Sequence, residues 1–317
     1  MGESTLVLLR NENSQLPLKA NLLHSIAVIG SHADVGVLSG GGSAQVDPAG
    51  GNAVPPDPAA PGDIAAMLST AVWHRSSPLS AIRNIASGAQ VSFEPGGDIQ
   101  SAAAKAKASD VAIVFVNQPT HEGNDLNTLS LLNNQNELVE AVAAANRHTV
   151  VVVQSGGAVA MPWAAKVSAI LEAWYPGIRG GEAIANVLFG KVNPSGKLAV
   201  TFPMSDADLP RPKLPAPATG IPSALDGIMN VQPPFDIRYD EGLKVGYKWY
   251  ECENKKPLFA FGHGLSYTNY GYSALQAKAG AGLSVGFSVK NSGQVAGEEV
   301  AQVYLTLPKA AAEPASD

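Results

Sequence analysis

With 317 residues, a formal net charge of −6, charged residues at 15% and hydrophobic residues at 45%, the chain has the composition of a globular protein and not of a coiled coil or a charged disordered tail; at about 150 residues per domain its length suggests two domains. The acidic balance, without basic clusters, argues against a nucleic-acid partner, which would need concentrated Lys and Arg. A single cysteine, Cys252, excludes an intramolecular disulfide and a Cys-built zinc cluster, and no run of about 18 apolar residues is present to span a membrane.

Residues 1–24 read as a linker or lead-in segment: Met1 to Arg10 hold a short apolar stretch followed by a polar turn, without the basic start and long apolar run of a secretory signal. That abrupt start suggests a piece of a larger protein. Ser25–Gly30 is an apolar, β-rich run closed by glycine and predicts a buried strand. Residues 47–62 form a loop of Pro, Gly and Ala. Further strands are predicted over 110–116, 149–154 and 169–174, and helices over 101–107, 134–146 and 181–188. In the second helix Leu138, Val139 and Val142 share one stripe. Strands apolar on both faces belong to a parallel sheet covered on both sides. Their alternation with helices predicts right-handed crossovers and a doubly wound, mostly parallel α/β sandwich over residues 25–268.

Residues 203–236 are proline-rich and without periodicity, a long excursion of the kind that is functional or wraps a neighbouring surface. Phe259 to Gly264 form a glycine-lined turn. Beyond residue 269 the pattern changes. Residues 283–289 and 299–305 alternate with period two around the turn Asn291-Ser292-Gly293, which predicts the beginning of an antiparallel β-sandwich. A seven-stranded sandwich needs about 100 residues, so this module is expected to be cut short.

Several chemistries find no support. Ser39-Gly40-Gly41-Gly42-Ser43 lacks the spacing and the following helix of a dinucleotide loop, and reads better as backbone passing close to a ligand or another segment. The histidines, at 24, 32, 74, 121, 148 and 263, show no metal-ligand spacing, so neither metal nor cofactor is expected. Gly-x-Ser-x-Gly is absent, which speaks against a serine hydrolase. The loop Asn117 to Leu126 is more informative. It leaves the carboxyl end of a predicted buried strand, the edge where open α/β sheets bind ligands, and carries Glu122 and Asp125. A solvated acidic turn is the plain alternative.

The stretch Glu172 to Pro203 is strand, glycine-opened helix, Asn193-Pro194-Ser195-Gly196 turn and strand. Its Trp174-Tyr175-Pro176-Gly177, Gly180-Gly181, Leu188-Phe189-Gly190 and Thr201-Phe202-Pro203 resemble the C-terminal half of the glycoside hydrolase family 3 β-glucosidases. Glu241 to Tyr250, Pro257 to Thr268, and Ile26 to Gly30 with Ala33-Asp34 and Gly41-Gly42-Ser43 carry the same resemblance, which covers nearly the whole chain. It implies an α/β sandwich ending in a partial fibronectin-III-like module, here 269–317. It also implies a separate β/α barrel that carries a nucleophilic Asp. The acid/base loop of the family matches Thr120 to Asp125, so the resemblance places the general acid/base on Glu122, although Leu126 stands where many members have Arg. Gly42, Ser43 and His121 are then candidates for lining the substrate cleft.

No Ser-Asp-Trp nucleophile motif occurs, and retaining hydrolysis needs two carboxylates. The resemblance therefore implies a chain that acts on a β-glucoside or β-glucan oligosaccharide together with the barrel and has little activity alone. A full-length parent would be periplasmic or secreted. Apolar surface on the barrel-facing side would favour self-association. A non-catalytic carbohydrate-binding or protein-interaction module is the rival reading.

Overall fold

The chain's structure is a computed structural model that describes residues 2–43, 46, 48–54, 72–120, 122, 126–212, 236 and 238–306. Parts of the 47–62 loop, and of the 203–236 excursion all but residues 203–212 and 236, lie outside the described residues. In chain order the described elements begin with α1 (Gly2–Thr5), β1 (Val7–Asn11), β2 (Ser25–Ile29), β3 (Gly36–Ser39), β4 (Val72–His74) and α2 (Pro78–Ile85). They continue with β5 (Gln90–Glu94), α3 (Ile99–Lys107), β6 (Val111–Gln118), α4 (Gln135–Ala145), β7 (Thr149–Ser155), β8 (Ala169–Glu172) and α5 (Gly180–Leu188). The last are α6 (Tyr247–Cys252), β9 (Tyr270–Ala279) and β10 (Leu283–Asn291).

Local chemistry sets the helix starts. Ser77 caps α2 by accepting from the Ser80 amide, and Pro78 occupies the first turn, where no amide donor is needed. Asp98 caps α3 through the amides of Gln100 and Ser101.

The central sheet runs β1-β8-β7-β6-β2-β5, parallel except for β1, which pairs antiparallel with β8. Alternation along the strands divides the core in two. Ile26, Val28, Ile113, Phe115, Val150, Val152 and Leu171 face one side, where Leu79 and Ile82 of α2 and Ile184, Val187 and Leu188 of α5 cover them. Ala27, Ile29, Ala112, Val114, Val116, Val151, Val153 and Ile170 face the other, under Ala102 and Ala106 of α3 and Leu138, Val139 and Val142 of α4. Both faces are dry, which is why these strands read as continuous apolar runs. The expected doubly wound α/β sandwich is the observed one.

The segment 1–24, expected to be a lead-in, contributes a strand to this sheet. Leu6 and Leu8 of this segment pack into the first half-core and Val7 and Leu9 into the second. The polar residues after Leu9 hid the pairing with β8, which is a tertiary property. The Leu265 amide donates to the Leu8 carbonyl at 2.7 Å and a His263 ring nitrogen meets the Leu9 carbonyl at 2.8 Å, so the glycine-lined turn closes over β1.

At the C-terminal side β9 and β10 form a two-stranded antiparallel ribbon. The strand expected over 299–305 is absent: residues 299–305 form no ladder among the described residues. An extended segment becomes a strand only when a neighbour accepts its hydrogen bonds, and this one is held by side chains instead, with the hydroxyls of Tyr270 and Tyr272 donating to the Glu298 carbonyl and the Glu299 carboxylate. No described helix is long and apolar enough to cross a membrane.

Because Leu8 of β1 is buried in the core, Leu8→Ala is expected to cost about 2–5 kcal/mol of unfolding free energy, whereas Leu22→Ala, at a side chain 64% exposed, stays within about 0.5 kcal/mol. Denaturant midpoints of the two variants measure the contrast.

Candidate active site

In the parallel part of the sheet β2 lies between β5 and β6, so the chain winds first to one side of β2 and then to the other. The crevice outside the carboxyl ends of β2 and β6 is the topological switch point, where open α/β sheets bind ligands. Here the segment that follows β3 meets the loop that follows β6. The Gly41 amide donates to the Thr120 carbonyl at 3.0 Å, and the Glu122 amide donates to the Gly41 carbonyl at 3.3 Å. The Ser43 amide then donates to Glu122 Oε2 at 2.7 Å.

Of the residues expected at the site, the fold brings Glu122, Gly42 and Ser43 together; His121 and Asp125 lie outside the described residues. Gly42 has φ +90°, and a Cβ built on it would stand 2.4 Å from the Glu122 Cβ. Only glycine fits there, both for its backbone conformation and for its lack of a side chain. Glu122 is exposed. The Ser43 hydroxyl and amide hold its carboxyl below the ordinary carboxylate range, so it is ionised at neutral pH. The stabilisation this bond gives is present above the ordinary carboxylate value and is lost as pH falls through the depressed one.

Below the loop the exit of β6 is densely bonded. The Tyr175 hydroxyl donates to the Gln118 carbonyl at 2.8 Å, accepts from the Thr120 amide at 2.9 Å and lies 2.9 Å from Thr120 Oγ1. The far root of the loop is pinned as well. Gln118 Nε2 donates to the Leu129 carbonyl at 3.3 Å, and the Asp206 carboxylate accepts from Thr128 Oγ1 at 2.6 Å and the Leu129 amide at 2.7 Å.

At the end of β8 stands a carboxyl of another kind. Glu172 is fully buried, accepts from the Trp174 amide at 2.8 Å and from Ser155 Oγ at 3.3 Å, and leaves Oε2 without a hydrogen-bond partner. Burial pushes its pKa well above the ordinary 4.5, against the smaller opposing pull of those donors, which favours the neutral acid. Sequence reasoning missed Thr120, Tyr175 and Glu172 as parts of one arrangement. Their motif was visible, but the contact between positions 120 and 175 is set by strand order and not by spacing. No described cluster of His, Cys, Asp or Glu could hold a metal ion.

The model of the glycosyl hydrolase family 3 C-terminal domain matches residues 6–267. The chain belongs to this family. The thermostable β-glucosidase B of Acetivibrio thermocellus is 35% identical over 95% of the chain, and a β-glucosidase of Rhizobium radiobacter is 40% identical over 69% of it. The chain spans only 37% and 27% of the lengths of these two relatives. Among solved structures, the family 3 β-glucosidase of Bifidobacterium adolescentis superposes with a TM-score of 0.69 at 32% identity, over 93% of this chain and 39% of that one. The β-glucosidase DesR of Streptomyces venezuelae, in complex with D-glucose, gives 0.69 at 28% identity over 92% of this chain and 48% of its own. In this chain an exposed carboxylate, Glu122, thus lies at the sheet's switch point, and a buried one, Glu172, at the end of β8.

The raised pKa of Glu172 has a measurable sign. The unfolded chain ionises this group around its ordinary 4.5 and the folded chain only at higher pH, so stability falls as pH rises from there. Glu172→Gln removes that dependence: its unfolding free energy relative to the parent improves by up to about 1.4 kcal/mol per pH unit above this value. Urea unfolding of both chains across pH 4 to 8, as an order-of-magnitude window, reads the slopes; parallel curves would mean an ionised Glu172.

Proposed function

We propose that the chain is the part of a β-glucosidase that supplies the general acid/base, Glu122, for hydrolysis of terminal β-D-glucosyl residues by double displacement. The substrate is a β-glucoside or β-glucan oligosaccharide, and the other carboxylate, the nucleophile, comes from the barrel half that accompanies such domains in this family. The observation that carries the reading is the position of Glu122 at the switch point, where the segment after β3 and the loop after β6 are bonded to each other and the carboxylate is held at their junction. Gly42 and Ser43 belong to the cleft by this reading, and so does His121. The boundary near residue 268, after which a fibronectin-III-like module begins, is part of the same proposal.

The electrostatics explain why the chain would be inert alone. A general acid has to be protonated when the leaving oxygen departs, which calls for a raised pKa. Glu122 of the isolated chain has a lowered one, because the Ser43 hydroxyl and amide stabilise its charged form. A barrel closing over the loop would oppose this in two ways. Its wall would remove water from the carboxyl, and a nucleophilic carboxylate about 5–5.5 Å away would oppose a second negative charge. Each pushes the pKa of Glu122 upward. The partner thus supplies a nucleophile and also converts Glu122 from a surface carboxylate into an acid.

The purified chain is expected to leave an aryl β-glucoside uncleaved. Joined to a family 3 barrel half, by fusion or as a second chain, it is expected to hydrolyse the glucoside, and Glu122→Ala to lower kcat about 10²- to 10⁴-fold. Turnover by the chain alone, or an alanine variant as active as its parent, would remove Glu122 from the role. Assembly without Glu122-dependent hydrolysis would leave the domain a non-catalytic binding module.

A further inference from the structure

The Trp174-Tyr175-Pro176-Gly177 turn is far from Glu122 in sequence and has no part in the chemistry proposed above, yet its tyrosine meets the base of the acid/base loop. Its hydroxyl engages three groups on two residues at the exit of β6: the Gln118 carbonyl, the Thr120 amide and the Thr120 hydroxyl. The third polar group of Thr120, its carbonyl, accepts from Gly41, whose own carbonyl accepts from Glu122. Every polar group of Thr120 is therefore used, and the bonds form one path from the tyrosine to the glutamate.

The path is also sterically closed. A Cβ on Gly156 would lie 2.5 Å from Thr120 Oγ1 and 3.1 Å from Tyr175 Cε2, and one on Gly40 would lie 2.7 Å from the Thr120 carbonyl oxygen and 3.3 Å from the same ring carbon. The ring and Thr120 are gripped between two side-chain-free backbones. Tyr175 in turn is set by the turn that precedes it. Trp174 adopts φ +55°, a costly conformation for a bulky residue. It is held by its backbone N–H, which donates to the buried Glu172 carboxyl, and by its indole, which donates to the Thr5 carbonyl at 3.1 Å.

We propose that Tyr175 is a positioning residue for Glu122: its hydroxyl locks the exit of β6, and the Thr120–Gly41 pairing carries that constraint to the carboxylate. The proposal rests on the reading of Glu122 as acid/base for its meaning, but its test does not depend on turnover. Tyr175→Phe keeps the ring between Gly40 and Gly156 and removes the three contacts. In the full chain, NMR would follow the titration of the Glu122 side chain and the exchange of the Thr120 and Glu122 amides. The expected result is exchange about tenfold faster or more at both amides and a Glu122 titration moved upward toward the ordinary carboxylate value, as its bond to Ser43 loosens. The resonances of β7 and β8 report that the sheet is unchanged.

Unaltered exchange and titration in a folded Tyr175→Phe chain would overturn the proposal. If that variant does not fold, Thr120→Val, which removes only the hydroxyl contact, is expected to move both readouts in the same direction by less, and no movement would likewise overturn it. In the barrel-joined protein, Tyr175→Phe should lower kcat more than it alters KM and displace the alkaline limb of the pH profile; a change in KM alone would count against positioning. Loss of Glu122 dependence in the hydrolysis assay, with Tyr175→Phe still shifting the Glu122 titration, would overturn the acid/base reading and leave the positioning intact.

Discussion

A parallel strand sealed on both faces has no side chain to offer to solvent, and this constraint governs the rest of the molecule. Val111 to Val116 and Val150 to Val153 are fully or nearly fully buried, so neither strand can carry chemistry along its length. Function is left to the backbone that emerges at the carboxyl edge. That backbone leaves a dry interior with donors and acceptors that have to be paired. The pairing comes from Tyr175, Gly41 and the roots of the loop, and it brings a carboxylate to the mouth of the crevice.

Seen this way, many of the residues that mark the family are scaffolding. Asn193 accepts from the Tyr267 amide at 2.7 Å and from Ser266 Oγ at 2.9 Å, so the Asn-Pro-Ser-Gly turn holds the segment that leads to the ribbon. Lys197 donates to the Gly264 carbonyl at 2.7 Å and pairs with Glu299 at 3.0 Å, both carrying side chains only 13% and 15% exposed. His263 stacks on Phe259 and bonds to β1. These contacts attach the last third of the chain to the sheet. The two glutamates divide differently: Glu122 is water-exposed and its charged form is favoured, Glu172 is dry and its neutral form is favoured, and the difference comes from environment alone.

Sequence pattern alone revealed the strands with two apolar faces, β2, β6, β7 and β8, to within a few residues, and the helices α3, α4 and α5. Apolar periodicity is a local property, and in these elements it is strong. It failed where the edge of the sheet begins. β1 and β5 are polar at one end or half-buried, as edge strands are, and α2 is not among the predicted helices although Leu79 and Ile82 give it a buried stripe. The ribbon was half seen: β10 alternates cleanly, whereas β9 carries Ala274 at φ +54° beside a break in register and so loses its rhythm. Glu122 was reached through its place after a buried strand and through resemblance. Its bonds to Ser43, and the tyrosine beneath it, follow from which strands are neighbours, and no local pattern records that.

The three glycines around this junction give the surface an unusual property. Gly156 is exposed and Gly40 and Gly42 are half-buried, positions at which proteins ordinarily accept most replacements. Yet a methyl group at any of them would collide with Thr120 or Glu122. A library of variants spanning this loop would therefore show the intolerance of a packed interior on the outside of the molecule, and an engineer seeking to graft new contacts around the crevice would have to build outward from other positions.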